Sequence, residues 1–201
     1  DYVIPKSLRF NSSDSAHLSK TFASAGNRKT WTWSAWFKRT KFGSQEFLFQ
    51  GVHPTGHGTQ IEIDSNNRIH VYNYNTSNDF QVRPSRVLRD SAAWYHLVVA
   101  FDTTQSTAAN RVKIYVNGVL ENQFENSSYP GQNTEWQINN NVLHYLNGKS
   151  WQNSFNASSD NLLADVQFVD GQALTADDFG ETRSSDGVWV PKKASFTSPN
   201  N

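Results

Sequence analysis

The chain has 201 residues, with 18 basic and 18 acidic side chains, no formal net charge, no cysteine and no methionine. A balanced charge without any basic run excludes electrostatic capture of nucleic acid or of an anionic membrane surface. The absence of cysteine excludes a disulfide framework and a thiolate metal site.

A chain of this length can bury one substantial core and is commonly a single all-β domain. Seven Trp, seven Tyr and thirteen Phe supply the core material, while Asn and Ser, roughly a fifth of the residues against ordinary composition, suit long polar turns. No apolar run of about 18 residues occurs, so no membrane insertion through a helix is expected. Methionine is missing even at position 1, which leads us to expect a piece of a longer chain.

In chain order, residues 7–10 and 17–22 read as short opening strands around a polar turn at 11–15. Over 31–38, Trp31, Trp33, Ala35 and Phe37 share one face and Thr32, Ser34, Trp36 and Lys38 the other. We assign the first set to the core. Residues 46–52 form a strand, 53–58 a His/Pro/Gly loop, and 60–64 with 68–74 a hairpin through Ser65, Asn66 and Asn67. Residues 81–88 read as an edge strand, because Pro84 cannot donate to a ladder. Tyr95, Leu97, Val99 and Phe101 alternate with His96, Val98 and Ala100, so both faces are largely apolar. That pattern places the strand between two layers. Asn117-Gly118 suits the two positive φ values of a type I′ turn, joining 111–116 to 119–124.

Residues 127–149 are Asn-rich, with short strands near 135–138 and 143–146. Residues 162–169 read as a buried strand, and 174–179 as one helical turn with Thr175 as N-cap and Asp178 three positions on. Residues 184–201 carry Gly187, Pro191 and Pro199 and read as a tail pinned at most by Trp189. A dozen short strands with one scrap of helix predict an all-β, antiparallel two-sheet sandwich. We place the domain over 1–182 and a C-terminal extension or linker over 183–201.

Taken in order, four groups of residues resemble the concanavalin A-like, laminin-G-like jelly rolls. They are 7–11 with 16–18, then 33–38, then 94–102 with 114–119, and finally 162–168 with 173–179. Three narrower stretches, Asp14–Ala16 with 25–34, 164–175 and 187–192, resemble lectin-like proteins of marine bacteriophages. That resemblance implies a virion component (tail fibre, tail appendage or head decoration) exposed at the particle surface. Its implied partners are host-surface glycans and other virion proteins, with a homo-trimer as a common arrangement.

Related glycoside hydrolases carry a Glu-x-Asp-x-(x)-Glu strand, and Glu62-Ile-Asp64 is similar to its beginning. Asn66 and Asn67 stand where the last carboxylate would be, and an amide cannot hand over a proton at neutral pH. No catalytic residue is assigned. His53 and His57 could begin a zinc site, but no third ligand is placed. His96 and His144 lie on predicted strands and read as packed, hydrogen-bonded histidines.

Asp165 interrupts an apolar strand and must be paired, hydrogen-bonded or metal-bound. The jelly-roll resemblance implies one structural calcium ion here, held by Asp165 with Asn11 and Asp14. The alternative is that Asp165 bonds backbone amides or Arg9. For sugar, aromatic faces stack on rings while amides satisfy hydroxyls. The candidates beside predicted loops are Tyr72, Tyr74, Tyr129, Trp136 and Trp151, each also readable as core or protein interface. The expected function is non-enzymatic carbohydrate binding and host attachment. The rival is a structural virion cement that binds no sugar, and a glycoside hydrolase stands third.

Overall fold

A computed structural model describes residues 2–55, 57–152, 154–156 and 159–196. The strands are β1 (Leu8–Phe10), β2 (Leu18–Thr21), β3 (Thr30–Arg39), β4 (Glu46–Val52), β5 (Gly58–Ile63) and β6 (Ile69–Tyr74). They continue with β7 (Asn78–Pro84), β8 (Tyr95–Asp102), β9 (Val112–Val116), β10 (Val119–Leu120), β11 (Phe124–Ser128) and β12 (Leu143–Leu146). Last come β13 (Lys149–Trp151), β14 (Ser154–Asn156), β15 (Asn161–Asp170), β16 (Gly180–Thr182) and β17 (Trp189–Pro191). Two antiparallel sheets dominate, ordered β1-β15-β3-β8-β9-β10 and β11-β7-β6-β5-β4-β12-β2. This is the two-sheet sandwich that the alternation predicts, in the jelly-roll form that the family resemblance implies.

The core lies between the sheets. Trp31, Trp33, Ala35 and Phe37 of β3 meet Ile61, Ile63, Ile69, Val71, Phe80 and Val82 of the facing sheet. Trp31 stacks on Phe101 at 4.7 Å. Each such side chain, fully removed from water, contributes roughly 1.5–3 kcal/mol.

β8 is covered on both faces, as its double apolar pattern requires. Its second face, Val98 and Ala100, packs with Val169, Ala176 and Phe179 in a smaller cluster that Trp189, Ala194 and Phe196 complete. The layer comes from the segment read as a tail. β17 pairs with β16, and Trp189 fits between Gly118 and Gly180, whose added Cβ atoms would each lie 2.5 Å from its ring. Residues 183–196 therefore belong to the packed body, whereas Pro199 of the expected tail lies outside the described residues. Ala176–Asp178 is one 3-10 turn, capped reciprocally by Thr175 and Asp178.

Three local expectations change. Asn117 and Gly118 take the positive φ values of 49° and 81°, but the returning strand ends at Leu120. The chain then crosses to the other sheet as β11. β11 covers β7, so β7 is internal, and Pro84 sits harmlessly at its last position opposite Phe124. Residues 135–138 are irregular, because Ile138 fills the core from a loop whose backbone bonds to loops, such as Gly26 N donating to Asn139 O.

Candidate ligand groove

The alternation that sends Ile61, Ile63, Ile69 and Val71 inward sends Gln60, Glu62, His70 and Tyr72 to the outer face of the seven-stranded sheet. The β13–β14 hairpin folds over that face. Gln50 of β4 anchors it twice: Nε2 donates to Ser150 O at 3.0 Å, and Ser150 N donates to Oε1 at 2.7 Å. Between hairpin and sheet lies a groove of about 650 Å³, with Phe47, Tyr72, Tyr74, Trp151 and Phe155 among its walls. That volume falls within the usual range for small-ligand sites.

The floor is a polar network around Glu62, only 1% exposed. Gln45 Nε2 donates to Oε1 at 3.2 Å, and His70 Nδ1 lies 3.5 Å from the same oxygen. Lys149 Nζ stands 3.7 Å from Oε2 and donates to the Tyr72 hydroxyl at 3.1 Å. The single Tyr72 hydroxyl proton faces Glu62 Oε2 at 2.9 Å and Gln60 Oε1 at 3.0 Å. Burial, reinforced by the Glu62 charge, pushes the Tyr72 phenol well above its usual 10. Burial also lowers the Lys149 ammonium, and Glu62 opposes that shift. The ammonium lies over the rings of Trp151 (4.6 Å), Phe47 (4.8 Å) and Tyr72 (5.8 Å), which partly replaces its lost hydration.

One wall is aromatic. Tyr74 and Trp151, both half-buried, meet with ring centroids 4.6 Å apart. His57 buttresses them, edge-on to Trp151 at 4.6 Å and to Tyr74 at 5.0 Å. Burial, then the charges of Lys149 and His53, lowers the His57 imidazole below its usual 6.5, favouring a neutral ring.

Asp64 and Arg83 close the other end. Asp64 Oδ1 accepts the backbone N–H groups of Asn66 and Arg68, both at 2.9 Å. It thereby caps the β5–β6 turn. Arg83 Nε lies 3.2 Å from Asp64 Oδ2.

The structure brings Tyr72, Tyr74 and Trp151 together here and leaves two candidates elsewhere. Tyr129 packs against the core near Phe124, and Trp136 against Phe80 with its Nε1 donating to Thr134 Oγ1. Tyr72 differs from the expected exposed platform: it is 4% exposed and its hydroxyl belongs to the floor. Lys149, Gln50 and Arg83 escaped the sequence reading. The signal for Gln50 and Arg83 was their place at polar positions of alternating strands, and Lys149 had none.

The residues do not fit the expected calcium site. β1 pairs with β15 from Leu8–Leu163 to Phe10–Asn161, so Asn11 lies beside Asp160. Asp165 lies five residues beyond Asp160, about 16 Å away at about 3.3 Å per residue. It sits half-buried at a bulge, with φ of 47°, where partial solvent contact relieves the need for a partner. Asn11 and Asp14 bond locally with each other and Ser13. Asp160 instead ties the opening turn, accepting Ser12 N at 2.9 Å and its hydroxyl at 2.7 Å. Among the described residues no three His, Asp or Glu side chains cluster as metal ligands. His53 bonds Thr55, away from any third ligand for His57. His96 and His144 are buried and hydrogen-bonded.

A comparison with curated proteins gives no match. Among solved structures, a native heptameric SAP-like pentraxin from Limulus polyphemus superposes with a TM-score of 0.52 at 16% identity, covering 79% of this chain and 71% of its own. The Trypanosoma rangeli sialidase in complex with sialic acid gives a TM-score of 0.51 at 15% identity, over 75% of this chain. Our chain spans only 22% of that sialidase. These likenesses concern the fold, which binding proteins and enzymes share. The profile of the Concanavalin A-like lectin/glucanases superfamily matches residues 10–178, and the chain belongs to that superfamily.

Proposed function

We propose that this domain is a non-enzymatic glycan-binding module and that the groove under the β13–β14 hairpin is its site. The observation that carries the reading is the pairing of Tyr74 and Trp151 beside a floor whose charges are already matched. A sugar ring can stack on the aromatic wall, while Ser65, Asn66, Asn78 and Ser154 at the rim meet its hydroxyls. The floor argues against cleavage. Both Glu62 oxygens are engaged, and Asp64 is committed to its turn and Arg83. Retaining hydrolysis needs two available carboxyl groups about 5 Å apart across the glycosidic bond.

The phage-like stretches of the sequence support a virion surface as the setting, with host glycans and neighbouring virion proteins as partners. A glycan array on the soluble domain tests the site. Binding should occur and should weaken at least about ten-fold in Trp151→Ala, the loss of one stacking contact and its buried area. Silence across the array would refute the reading and leave a virion cement. Release of reducing ends that depends on Glu62 would overturn its non-catalytic part.

A further inference from the structure

Resting on the glycan reading above, we propose that the groove selects a sugar carrying a carboxylate, and that Arg83 is the group that reads it. Four charged side chains, Glu62, Asp64, Lys149 and Arg83, line the groove, and formally they cancel. They are not equally presented. The side chains of Glu62, Lys149 and Asp64 are 2%, 7% and 9% exposed, against 29% for Arg83.

Chemistry deepens that asymmetry. Lys149 is held by the Tyr72 hydroxyl, Glu62 and three aromatic rings. Glu62 is engaged by its neighbours, and Asp64 shares its charge with two turn amides. Arg83 Nε and Asp64 Oδ2, although 3.2 Å apart, are not aligned as a hydrogen bond, and each is left without one. A ligand entering the groove therefore meets the exposed Arg83 guanidinium ahead of the more deeply buried Asp64 and Glu62 carboxylates.

The guanidinium is also oriented. Its Nη2 lies 3.4 Å from His70 Nδ1 and 3.5 Å from Nε2. These contacts hold the guanidinium against the His70 imidazole. His70 in turn stacks on Tyr72 at 4.1 Å and 14°. That contact steadies the Arg83 side chain at the groove, and the forked N–H groups of a guanidinium match the two oxygens of a carboxylate. Ser65 and Asn66, in the turn that Asp64 caps, stand beside it for hydroxyls.

The test uses titration calorimetry of the chain with sialyllactose and trigalacturonate, each against its carboxyl-reduced form. Binding should favour the acidic form about ten-fold or more, the ratio expected for a charge-assisted pair. Arg83→Gln should erase that preference, bringing the affinities for the acidic and neutral forms together. Arg83→Lys should restore only part of it, because an ammonium lacks the planar fork. Circular dichroism confirms that both variants fold. Equal affinity for acidic and neutral forms, with Trp151→Ala still weakening both, would overturn the carboxylate proposal and spare the glycan site. Preference for sulfated over carboxylated sugars would overturn it too. Absence of all binding, or binding indifferent to Trp151→Ala, would overturn the glycan reading itself.

Discussion

Lowering the pH from 7 to 4 should destabilise the fold, and the buried imidazole of His96 should carry a separable share of the loss. It is 1% exposed and accepts the Trp189 Nε1–H at Nδ1, 3.1 Å away. An indole N–H only donates, so the His96 proton sits on Nε2 and is donated to Ser34 Oγ at 2.9 Å. Burial holds its pKa at about 4 instead of 6.5. The unfolded chain takes up this proton near pH 6.5 and the folded one only near 4. Between those values the unfolded state binds more protons, so stability falls as pH falls. At 1.36 kcal/mol per pH unit, the interval from 6.5 to about 4 amounts to about 3 kcal/mol. The contribution is intact above pH 6.5 and fully lost by about 4. His57 and His144 shift the same way, so the assay compares the parent with His96→Gln in urea melts at pH 7, 6, 5 and 4. The variant should start less stable, having lost the packed ring, and the gap should narrow by up to about 3 kcal/mol on acidification. A gap that stays constant, or a folded-state NMR titration of His96 near 6.5, refutes the reasoning.

Trp189→Ala should cost about 3 kcal/mol in chemical denaturation, the low end for a large-to-small change because the ring is only half-buried. It should also make residues 183–188 susceptible to limited proteolysis. Gly118→Ala should destabilise measurably in the same assay, because its Cβ would strike the Trp189 ring at a φ of 81° that L residues rarely adopt. Lys149→Met should cost about 3 kcal/mol by leaving Glu62 buried without its cation, and adding Glu62→Gln should recover part of it. Gln50→Ala should free the β13–β14 hairpin, lowering glycan affinity in calorimetry with the far-ultraviolet spectrum unchanged.

Strands were read well wherever side chains face two layers. Trp31, Trp33, Ala35 and Phe37, like Tyr95, Leu97, Val99 and Phe101, put apolar side chains at alternate positions, and burial of that pattern admits little else. Pro84 misled, because a proline at the last residue of a strand breaks no bond that the strand needs. Of the groove, Tyr72, Tyr74 and Trp151 were nameable as aromatics among amides, but nothing local distinguished them from Tyr129 and Trp136. Asp165 looked like a buried charge because neighbouring apolar residues imply burial only for a regular strand, and a bulge shifts the register by one residue.

The order of amino acids alone dictated the sandwich, its aromatic core, the Asn-Gly turn and the capped turn at Thr175, since each follows from alternation or from bonds between residues a few positions apart. Three matters belonged to the tertiary structure: that the C-terminal segment closes the second face of β8, that Gln50 pins a hairpin 100 residues away, and that Lys149 meets Glu62. These contacts join residues remote along the chain. Their energies depend on which surfaces the packed sheets bring together and shield from water, and no local pattern carries that information.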